Sequence, residues 1–180
     1  MESTFKILSE RLKFKRLIET DIKEIKKLIL EYKDLNCPYL GLDIKHDKRE
    51  ANSIKPIIDD DDSSDMKFLI YRKINNELIG FCGIRKDFEN LSGNLFYILS
   101  PRYKGYGFAI ESIKSLIKYG FIELNLNLIK AEIPFDAKKA WRPVERAGMA
   151  YMGEYQDKNQ NSKFLLFIIN KKEYLNQAFY

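Results

Sequence analysis

The sequence predicts an α/β (α+β) domain whose helices pack on a mixed sheet. Apolar runs at residues 66–71 and 77–84 flank a polar segment that contains two asparagines, which is typical of a hairpin. Residues 91–99 form a third strand-like run, followed by two glycines and an amphipathic stretch. Residues 127–133 then alternate in polarity as a strand does. A helix therefore connects two strands, and such a crossover predicts that they are parallel.

Length and composition predict one domain. The 180 residues suffice for a sizeable core, and no linker rich in proline, serine or glycine divides them, so we expect a single domain over residues 1–180. Hydrophobic residues make up 45% of the chain and charged residues 32%, which excludes neither an enzyme nor a binding module. No long apolar segment follows the first residues, so we expect neither a secretory signal nor a membrane span.

Charge and cysteine content narrow the expected partners and location. The formal net charge is +5, but basic residues are interleaved with acidic ones along the chain, so we expect no nucleic-acid partner. A mild positive excess suits an anionic cofactor. The 2 cysteines imply no disulfide framework and fit a reducing cytoplasm, and we interpret Cys82 as a small core residue. His46, the single histidine, has no Cys or His neighbours, so we expect no metal site.

The N-terminal part contains a predicted strand and a predicted helix. Residues 9–17 alternate between apolar and charged side chains, as a half-buried strand does. Asp21 and Glu24 have the spacing of a capping box before an apolar stripe. A helix should therefore follow them and end near Pro38, which blocks continuation.

Three polar segments have weaker patterns. Residues 47–58 are a candidate helix interrupted by a proline. The aspartate-rich residues 59–65 are either a solvated connection or a segment that attracts a cationic substrate. Residues 86–90 are predicted to form a polar loop before the strand at residues 91–99.

The C-terminal part alternates helix and strand. Residues 137–147 are predicted to form a helix, which Pro143 should kink because it removes a backbone N–H. Residues 150–155 and 162–169 read as a pair of strands across a polar loop, and residues 170–180 are a candidate helical tail.

The glycine-containing turn at residues 100–109 has the layout of a phosphate-binding loop. A strand ends before Pro101, Gly105 and Gly107 follow, and a helix begins. The first backbone N–H groups of a helix have no internal partner and carry the positive end of its dipole, so a pyrophosphate is stabilised there. Glycines allow an anion to approach the backbone. The glycines alone also fit a simple tight turn.

The surrounding residues favour the phosphate-binding interpretation. Residues 101–111 resemble, without a gap, the proline-x-tyrosine-x-glycine-x-glycine-x-alanine-x-glutamate run of the GNAT acyl-CoA N-acetyltransferase superfamily, and look closest to the branch that acetylates N-termini of ribosomal proteins. In this register the family's Arg/Gln-x-x-Gly-x-Gly/Ala signature falls on Lys104, Gly107 and Ala109. A second register beginning at Arg102 fits the pattern literally. We prefer the first, because it aligns the proline, tyrosine and glutamate together.

The resemblance implies a fold and a cofactor site. It implies the GNAT fold, with a mixed, mostly antiparallel sheet of six to seven strands flanked by helices, and acetyl-CoA (coenzyme A) between two splayed parallel strands. The strand end should offer backbone groups to the pantetheine arm, and the turn should hold the diphosphate. The implied cofactor-binding residues are Ile98, Leu99, Ser100, Lys104, Gly105, Tyr106, Gly107, Phe108 and Ala109.

The resemblance also implies a reaction, with departures at the catalytic positions. The expected activity is acetyl transfer to a primary amine, either a small amine or a protein N-terminus, and the oligomeric state is open between monomer and dimer. The family's frequent glutamate base aligns with Asn94, our candidate catalytic residue, which takes no proton at neutral pH. Other departures are Ala137 and Ala140, where the family has asparagine and serine, and Val144, where many relatives carry a tyrosine acid.

These departures leave alternatives open. Asp87 and Glu89 are loop carboxylates that either act through water or are simply solvated. We interpret Tyr97 and Tyr103 as packing residues instead of acids. The competing hypothesis is a catalytically silent GNAT-shaped module that binds acyl-CoA or a protein partner.

Overall fold

A computed structural model of the chain describes residues 5–30, 36–37, 42–43, 65–87, 89–137, 140–157 and 162–178. The strands of this described part are β1 (Phe5–Leu8), β2 (Leu12–Arg16), β3 (Asn36–Cys37), β4 (Leu42–Asp43), β5 (Asp65–Arg72), β6 (Leu78–Asp87), β7 (Ser92–Leu99), β8 (Leu128–Pro134), β9 (Ala150–Asp157) and β10 (Ser162–Asn170). The α-helices are α1 (Ile22–Leu30), α2 (Phe108–Ile122), α3 (Arg142–Arg146) and α4 (Lys171–Ala178).

The main sheet is mixed, as predicted. Within the described residues it has eight strands in the order β1-β2-β5-β6-β7-β8-β10-β9, and β3 and β4 form a separate ladder. Neighbours in the main sheet are antiparallel except β7 and β8, which are parallel. The helix α2 connects these two strands, so the predicted crossover is confirmed.

The sheet has one strand more than expected, because the unpredicted β1 precedes the strand predicted at residues 9–17, which contains a tight turn followed by β2. The N–H and the hydroxyl of Ser9 both donate to the carbonyl of Leu12, at 3.0 and 3.2 Å. This turn folds β1 back on β2 in antiparallel pairing. The period-two pattern of residues 9–17 includes the turn residues, so it marked neither the start of β2 nor the presence of β1 before it.

Helices cover both faces of the sheet. On one face, Ile113 and Ile117 of α2 pack with Ile84 and Ile129 in a single hydrophobic core. On the other face α1 contacts β6 and buries Ile25. Strand side chains on that face are also completely buried. The arrangement follows from the alternation of side chains along a strand, which gives each central strand two buried faces.

Three predicted helix features are wrong. The helix expected at residues 137–147 is only α3, and Pro143 lies in its first turn, where a missing N–H costs nothing, so no kink arises. Asp21 does not form the predicted capping box with Glu24: its carboxylate accepts the N–H of Ile18 at 3.1 Å and pairs with Lys15. Glu24 accepts the hydroxyl of Tyr71 at 2.6 Å.

Several other expectations concern the edges of elements. The strand β6 extends through Asp87, into the residues predicted as a polar loop. The helical tail is confirmed as α4. The candidate helix at residues 47–58, most of the acidic segment at residues 59–65, and His46 lie outside the described residues. None of the described helices is both long and apolar enough to cross a membrane.

Candidate active site

The turn between β7 and α2 has the backbone geometry of an anion site. Gly105 and Gly107 have positive φ angles of 89° and 79°, which glycine adopts without steric cost. The first intrahelical hydrogen bond runs from Glu111 N–H to the Gly107 carbonyl at 3.1 Å. The amides of Phe108, Ala109 and Ile110 therefore have no acceptor within the helix. These amides and the helix dipole give the start of α2 a positive partial charge.

The loop is held from one side by Arg11. Its guanidinium donates to the Tyr106 carbonyl at 2.9 Å and to a carboxylate oxygen of Glu111 at 2.7 Å, and it lies 4.5 Å from the ring centroid of Phe108. Ser9 also donates to Glu111, at 2.7 Å. Burial alone would raise the pKa of Glu111, but the hydrogen bonds from Arg11 and Ser9 outweigh it and hold that pKa below its usual value.

The other side of the loop is tied to the hairpin between β5 and β6. The Tyr103 hydroxyl donates to Glu77, and this bond is the main cause that lowers the pKa of Glu77. Burial raises the pKa of Tyr103, and the bond to Glu77 adds to that effect. Arg72 lies 5.5 Å from the Tyr103 ring centroid and 3.6 Å from Glu77. Tyr103 is thus a packing and anchoring residue, in agreement with its sequence interpretation.

The parallel strands β7 and β8 separate after a short paired segment. Their register pairs Ser92 with Leu128, Gly93 with Ile129 and Asn94 with Lys130, and ends there. Beyond that point the ladder between β7 and β8 ends, whereas β8 stays paired with β10 along its other edge from Leu128 to Pro134. The gap predicted from the family resemblance is therefore present, and it opens toward the end of β7 that leads into the glycine turn.

Backbone alternation identifies which residues of β7 face the gap. The Ser100 N–H donates to the Ile79 carbonyl at 2.7 Å, so Ser100 and Ile98 direct their backbone groups toward β6. At the other end of β7, the Leu91 carbonyl accepts the Asn127 N–H at 2.7 Å. Leu91 therefore directs its backbone toward β8, which agrees with the same alternation. Of the three predicted partners of the pantetheine arm, the alternation thus leaves Leu99 facing the gap, together with Tyr97.

The predicted catalytic residue Asn94 lies where the gap begins. Its side-chain N–H donates to Glu132 at 2.6 Å, and Glu132 is on β8, two residues beyond the last β7–β8 pair. The Tyr155 hydroxyl on β9 donates to the same carboxylate. Burial, followed by the bond to Glu132, raises the pKa of Tyr155. The asparagine that replaces the expected glutamate is therefore in contact with a carboxylate from the neighbouring strand.

Sequence reasoning did not single out Glu132. It lies in an alternating strand whose polar positions look like an ordinary solvated face. Only the register of β8 against β7 places it beside Asn94, and that register depends on contacts far apart in the chain.

The three remaining departures from the family pattern lie on the core side of the gap. Val144 is completely buried in the hydrophobic core, and Ala137 and Ala140 pack against it. The Tyr97 hydroxyl donates to the Ala140 carbonyl at 2.7 Å, and burial raises its pKa. Tyr97 is thus a packing residue, as interpreted from the sequence, and Val144 fills space where many relatives place an acid.

The loop carboxylates lie at the opposite, paired end of β7. Asp87 pairs with Ser92 in the sheet and accepts the Asn90 side-chain amide at 2.6 Å, which is the main cause that lowers its pKa. Glu89 is exposed in the same turn. Cys82 is buried in the core, and burial raises the pKa of its thiol, as expected for a packing residue. The described residues contain no cluster of three or more His, Cys, Asp or Glu side chains suited to a metal ion.

Comparison with known proteins identifies the family. The profile of the family described as acetyltransferase (GNAT) domain matches residues 11–150. An uncharacterised N-acetyltransferase, p20, of Bacillus licheniformis is 32% identical over 129 residues, which cover 63% of this chain and 71% of that protein. The uncharacterised N-acetyltransferase YnaD of Bacillus subtilis is 27% identical over 90 residues, 50% of this chain and 53% of its own length.

Solved structures share the fold. A chimera of spermidine N-acetyltransferase SpeG from Vibrio cholerae and hSSAT has a TM-score of 0.74 at 21% identity, covering 93% of this chain and 99% of its own. A candidate ribosomal-protein-serine acetyltransferase from Vibrio cholerae has a TM-score of 0.72 at 15% identity, covering 94% and 99%. At these identities the likeness concerns the fold. With the family profile, it shows that this chain belongs to the GNAT acetyltransferase family, the acetyl-CoA-dependent acetyltransferases.

Proposed function

We propose that this acetyltransferase binds the diphosphate of acetyl-CoA at the start of α2 and transfers the acetyl group to a primary amine. One observation carries the proposal. The gap between β7 and β8 opens toward the same end of β7 at which the amides of Phe108, Ala109 and Ile110 have no intrahelical acceptor. An extended arm in the gap would thus lead directly to an anion at the turn.

The chemistry of the turn fits a diphosphate. Unpaired amides at a helix N-terminus bind anions without a dedicated side chain. A Cβ placed on Gly105 would have no atom within 4 Å, so the backbone there is open to a ligand. The proposed diphosphate site comprises Lys104, Gly105, Tyr106, Gly107, Phe108 and Ala109.

Cations beside the loop support an anionic ligand. A cavity of about 360 Å³ next to Phe108 is lined by three cations, Arg11, Arg72 and Lys73, and by one carboxylate, Glu10. Their positive potential would attract the phosphates of coenzyme A to the turn.

The gap fits the pantetheine arm of the cofactor. Past Asn94, β7 has no β8 partner, and backbone alternation directs the N–H and carbonyl groups of Leu99 into the gap. The arm would bond to this edge as an added strand does. Ile98 and Ser100 would then direct their backbone groups to β6 and support this edge without bonding to the arm.

A primary amine is the proposed acceptor. The relatives p20 and YnaD are N-acetyltransferases by name, and structural neighbours include a spermidine acetyltransferase and a candidate ribosomal-protein-serine acetyltransferase. These names suggest two acceptors to test, a polyamine and a protein N-terminus. The proposed location is the cytoplasm, where acetyl-CoA would be available.

Calorimetry and a thiol-release assay test the proposal in sequence. Wild-type protein titrated with acetyl-CoA should give a saturating binding isotherm. The assay should then show coenzyme A release with spermidine or with a short peptide that has a free N-terminal serine. No binding at millimolar acetyl-CoA would overturn the cofactor site. Binding without coenzyme A release for either acceptor would instead favour the catalytically silent module.

A further inference from the structure

We propose that Glu132 is the proton acceptor for the amine in this enzyme and that Asn94 and Tyr155 position its carboxylate. The inference rests on the proposed function and names the residue that replaces the family's central-strand glutamate. It follows from the geometry of three strands, since Asn94 is on β7, Glu132 on β8 and Tyr155 on β9.

Glu132 lies at the start of the gap between β7 and β8. The last β7–β8 pair is Asn94 with Lys130, and Glu132 follows it on the same face of β8. A carboxylate here lies where the gap begins, on the face opposite the core packed by α2. Asp87, by contrast, lies beside Ser92 at the paired end of β7.

Two hydrogen bonds orient the carboxylate of Glu132. One carboxylate oxygen accepts the Asn94 amide at 2.6 Å, and the Tyr155 hydroxyl is a second donor. Both donors are neutral, so they orient the carboxylate without neutralising it. A carboxylate has about four lone-pair sites, so two donors leave acceptor capacity for an amine or ammonium group.

The residues that the family resemblance implicates at the gap supply no base. Asn94 cannot accept a proton, and Val144 has no ionisable group. The Tyr97 hydroxyl already donates a hydrogen bond to the Ala140 carbonyl. The contact between Asn94 and Glu132 gives the asparagine a function: it places an amide where a second carboxylate would repel the first.

The transfer step balances with acetyl-CoA and a primary amine. The nitrogen lone pair forms a bond to the acetyl carbonyl carbon, and the C–S bond breaks with its electron pair going to sulfur. The proton released by the nitrogen passes to Glu132. The thiolate takes up one proton from water, and Glu132 returns its proton to water. The products are the N-acetyl amine and free coenzyme A.

Glu132 has identifiable charged neighbours on its face of the sheet. They include Lys130 on β8, Arg85 and Asp87 on β6, Asp65 and Lys67 on β5, and Asp157 on β9, together with the neutral, titratable Tyr155. The β10 positions on this face beside Glu132 and Tyr155 are apolar. Replacing Asn94 by aspartate would add a negative charge in direct contact with Glu132. It should raise the pKa at which the carboxylate pair loses its shared proton.

The experiment compares four variants in the thiol-release assay, with spermidine and the N-terminal serine peptide as acceptors. Glu132→Gln should lower kcat about 100-fold, which is the usual size of a lost general base, with unchanged acetyl-CoA affinity. Glu132→Asp should recover part of that loss. Asn94→Asp should move the acid limb of the kcat/KM profile to higher pH. The matched control is Glu154→Gln, an exposed carboxylate of β9 paired with Lys163, which should leave kcat unchanged.

The outcomes separate the two proposals. If wild type releases coenzyme A and Glu132→Gln does so at the same rate, Glu132 is not the proton acceptor and the function stands. If Glu132→Gln fails to fold by circular dichroism, the pH shift of Asn94→Asp decides, and an unmoved acid limb overturns the inference. If wild type does not bind acetyl-CoA, or binds it without acetylating either amine, both proposals fall.

Discussion

Arg11 and Glu111 join the first hairpin to the first turn of α2, 100 residues away along the chain. The Arg11 side chain donates to one oxygen of Glu111 at 2.7 Å, and its backbone N–H donates to the other at 2.7 Å. Glu111 is the glutamate that ends the motif at residues 101–111. Its place in that motif therefore has a structural reason: it fixes the start of α2, where the amides proposed to bind phosphate lie.

Glu111→Gln should destabilise the protein in a pH-dependent way. The hydrogen bonds in the native state hold the pKa of Glu111 below 4.5, so its contribution is complete above that value and is lost as the pH falls through the native pKa. Losing charge-assisted bonds should cost about 2 kcal/mol of unfolding free energy at neutral pH. Urea unfolding of both proteins across acid pH measures this.

The difference in unfolding free energy between wild type and Glu111→Gln should become smaller below pH 4.5. The control is Glu123→Gln at the exposed C-terminal end of the same helix, which should change stability little. A difference that stays constant from neutral to acid pH would mean that the charge of Glu111 does not contribute.

Gly107→Ala should weaken acetyl-CoA binding. Its φ of 79° strains an L-residue, and a Cβ would meet only Arg11, at 3.5 Å, so the effect would come from the backbone conformation. A strain of about 1–2 kcal/mol relaxed by moving the turn predicts an approximately tenfold higher Kd. Calorimetry with acetyl-CoA measures the change.

Gly153→Ala is the matched control for Gly107→Ala. Gly153 has a φ of 126° with nothing within 4 Å of its Cβ position, so the substitution is strained in the same way but lies on β9. It should lower the melting temperature and leave the Kd for acetyl-CoA as in wild type. Equal losses of affinity in both variants would indicate a global effect of destabilisation instead of a local one at the turn.

Ile117→Ala and Ile122→Ala should differ strongly in stability. Both are isoleucines of α2, but Ile117 is 1% exposed in the core and Ile122 is 53% exposed. The first should lose about 2–5 kcal/mol of unfolding free energy, because truncation leaves a cavity, and the second less than about 1 kcal/mol. Urea unfolding of the pair measures the difference. Similar losses would mean that α2 is not packed as described.

The sequence was sufficient for features that local residues determine. The strand, turn and helix around Gly105 and Gly107 were predicted because glycine spacing, an apolar run and an amphipathic stretch are all local patterns. The parallel pairing of β7 and β8 followed from the helix that connects them, because a helical crossover returns the chain to the same end of the sheet.

What the sequence left undetermined depends on contacts between distant segments. Glu132 gains its significance from the register of β8 against β7, and one residue of slip would move it to the other face. The helix that contains α3 was predicted too long, because residues 137–141 have helix-compatible side chains. In the structure, turns at Pro134 and Ala137 precede the helix. Propensity did not reveal this tertiary preference.

Tyr97→Phe should destabilise the protein by about 1 kcal/mol at neutral pH, because the Ala140 carbonyl loses its 2.7 Å hydrogen bond. Burial raises the pKa of Tyr97 above 10.0 in the native state, so the wild-type hydroxyl stabilises below that value and its contribution is lost as the pH rises. The difference in unfolding free energy between wild type and Tyr97→Phe should therefore become smaller above pH 10.0. Urea unfolding at neutral and alkaline pH would measure it.

The control for Tyr97→Phe is Tyr151→Phe, whose ring is half exposed on β9 and packs against Phe167 with or without the hydroxyl. It should change stability little at either pH. Because Tyr97 connects β7 to the segment before α3, its loss should also speed hydrogen exchange at residues 140–144. If exchange there matches wild type while stability falls, the hydrogen bond to Ala140 does not hold that segment against the sheet.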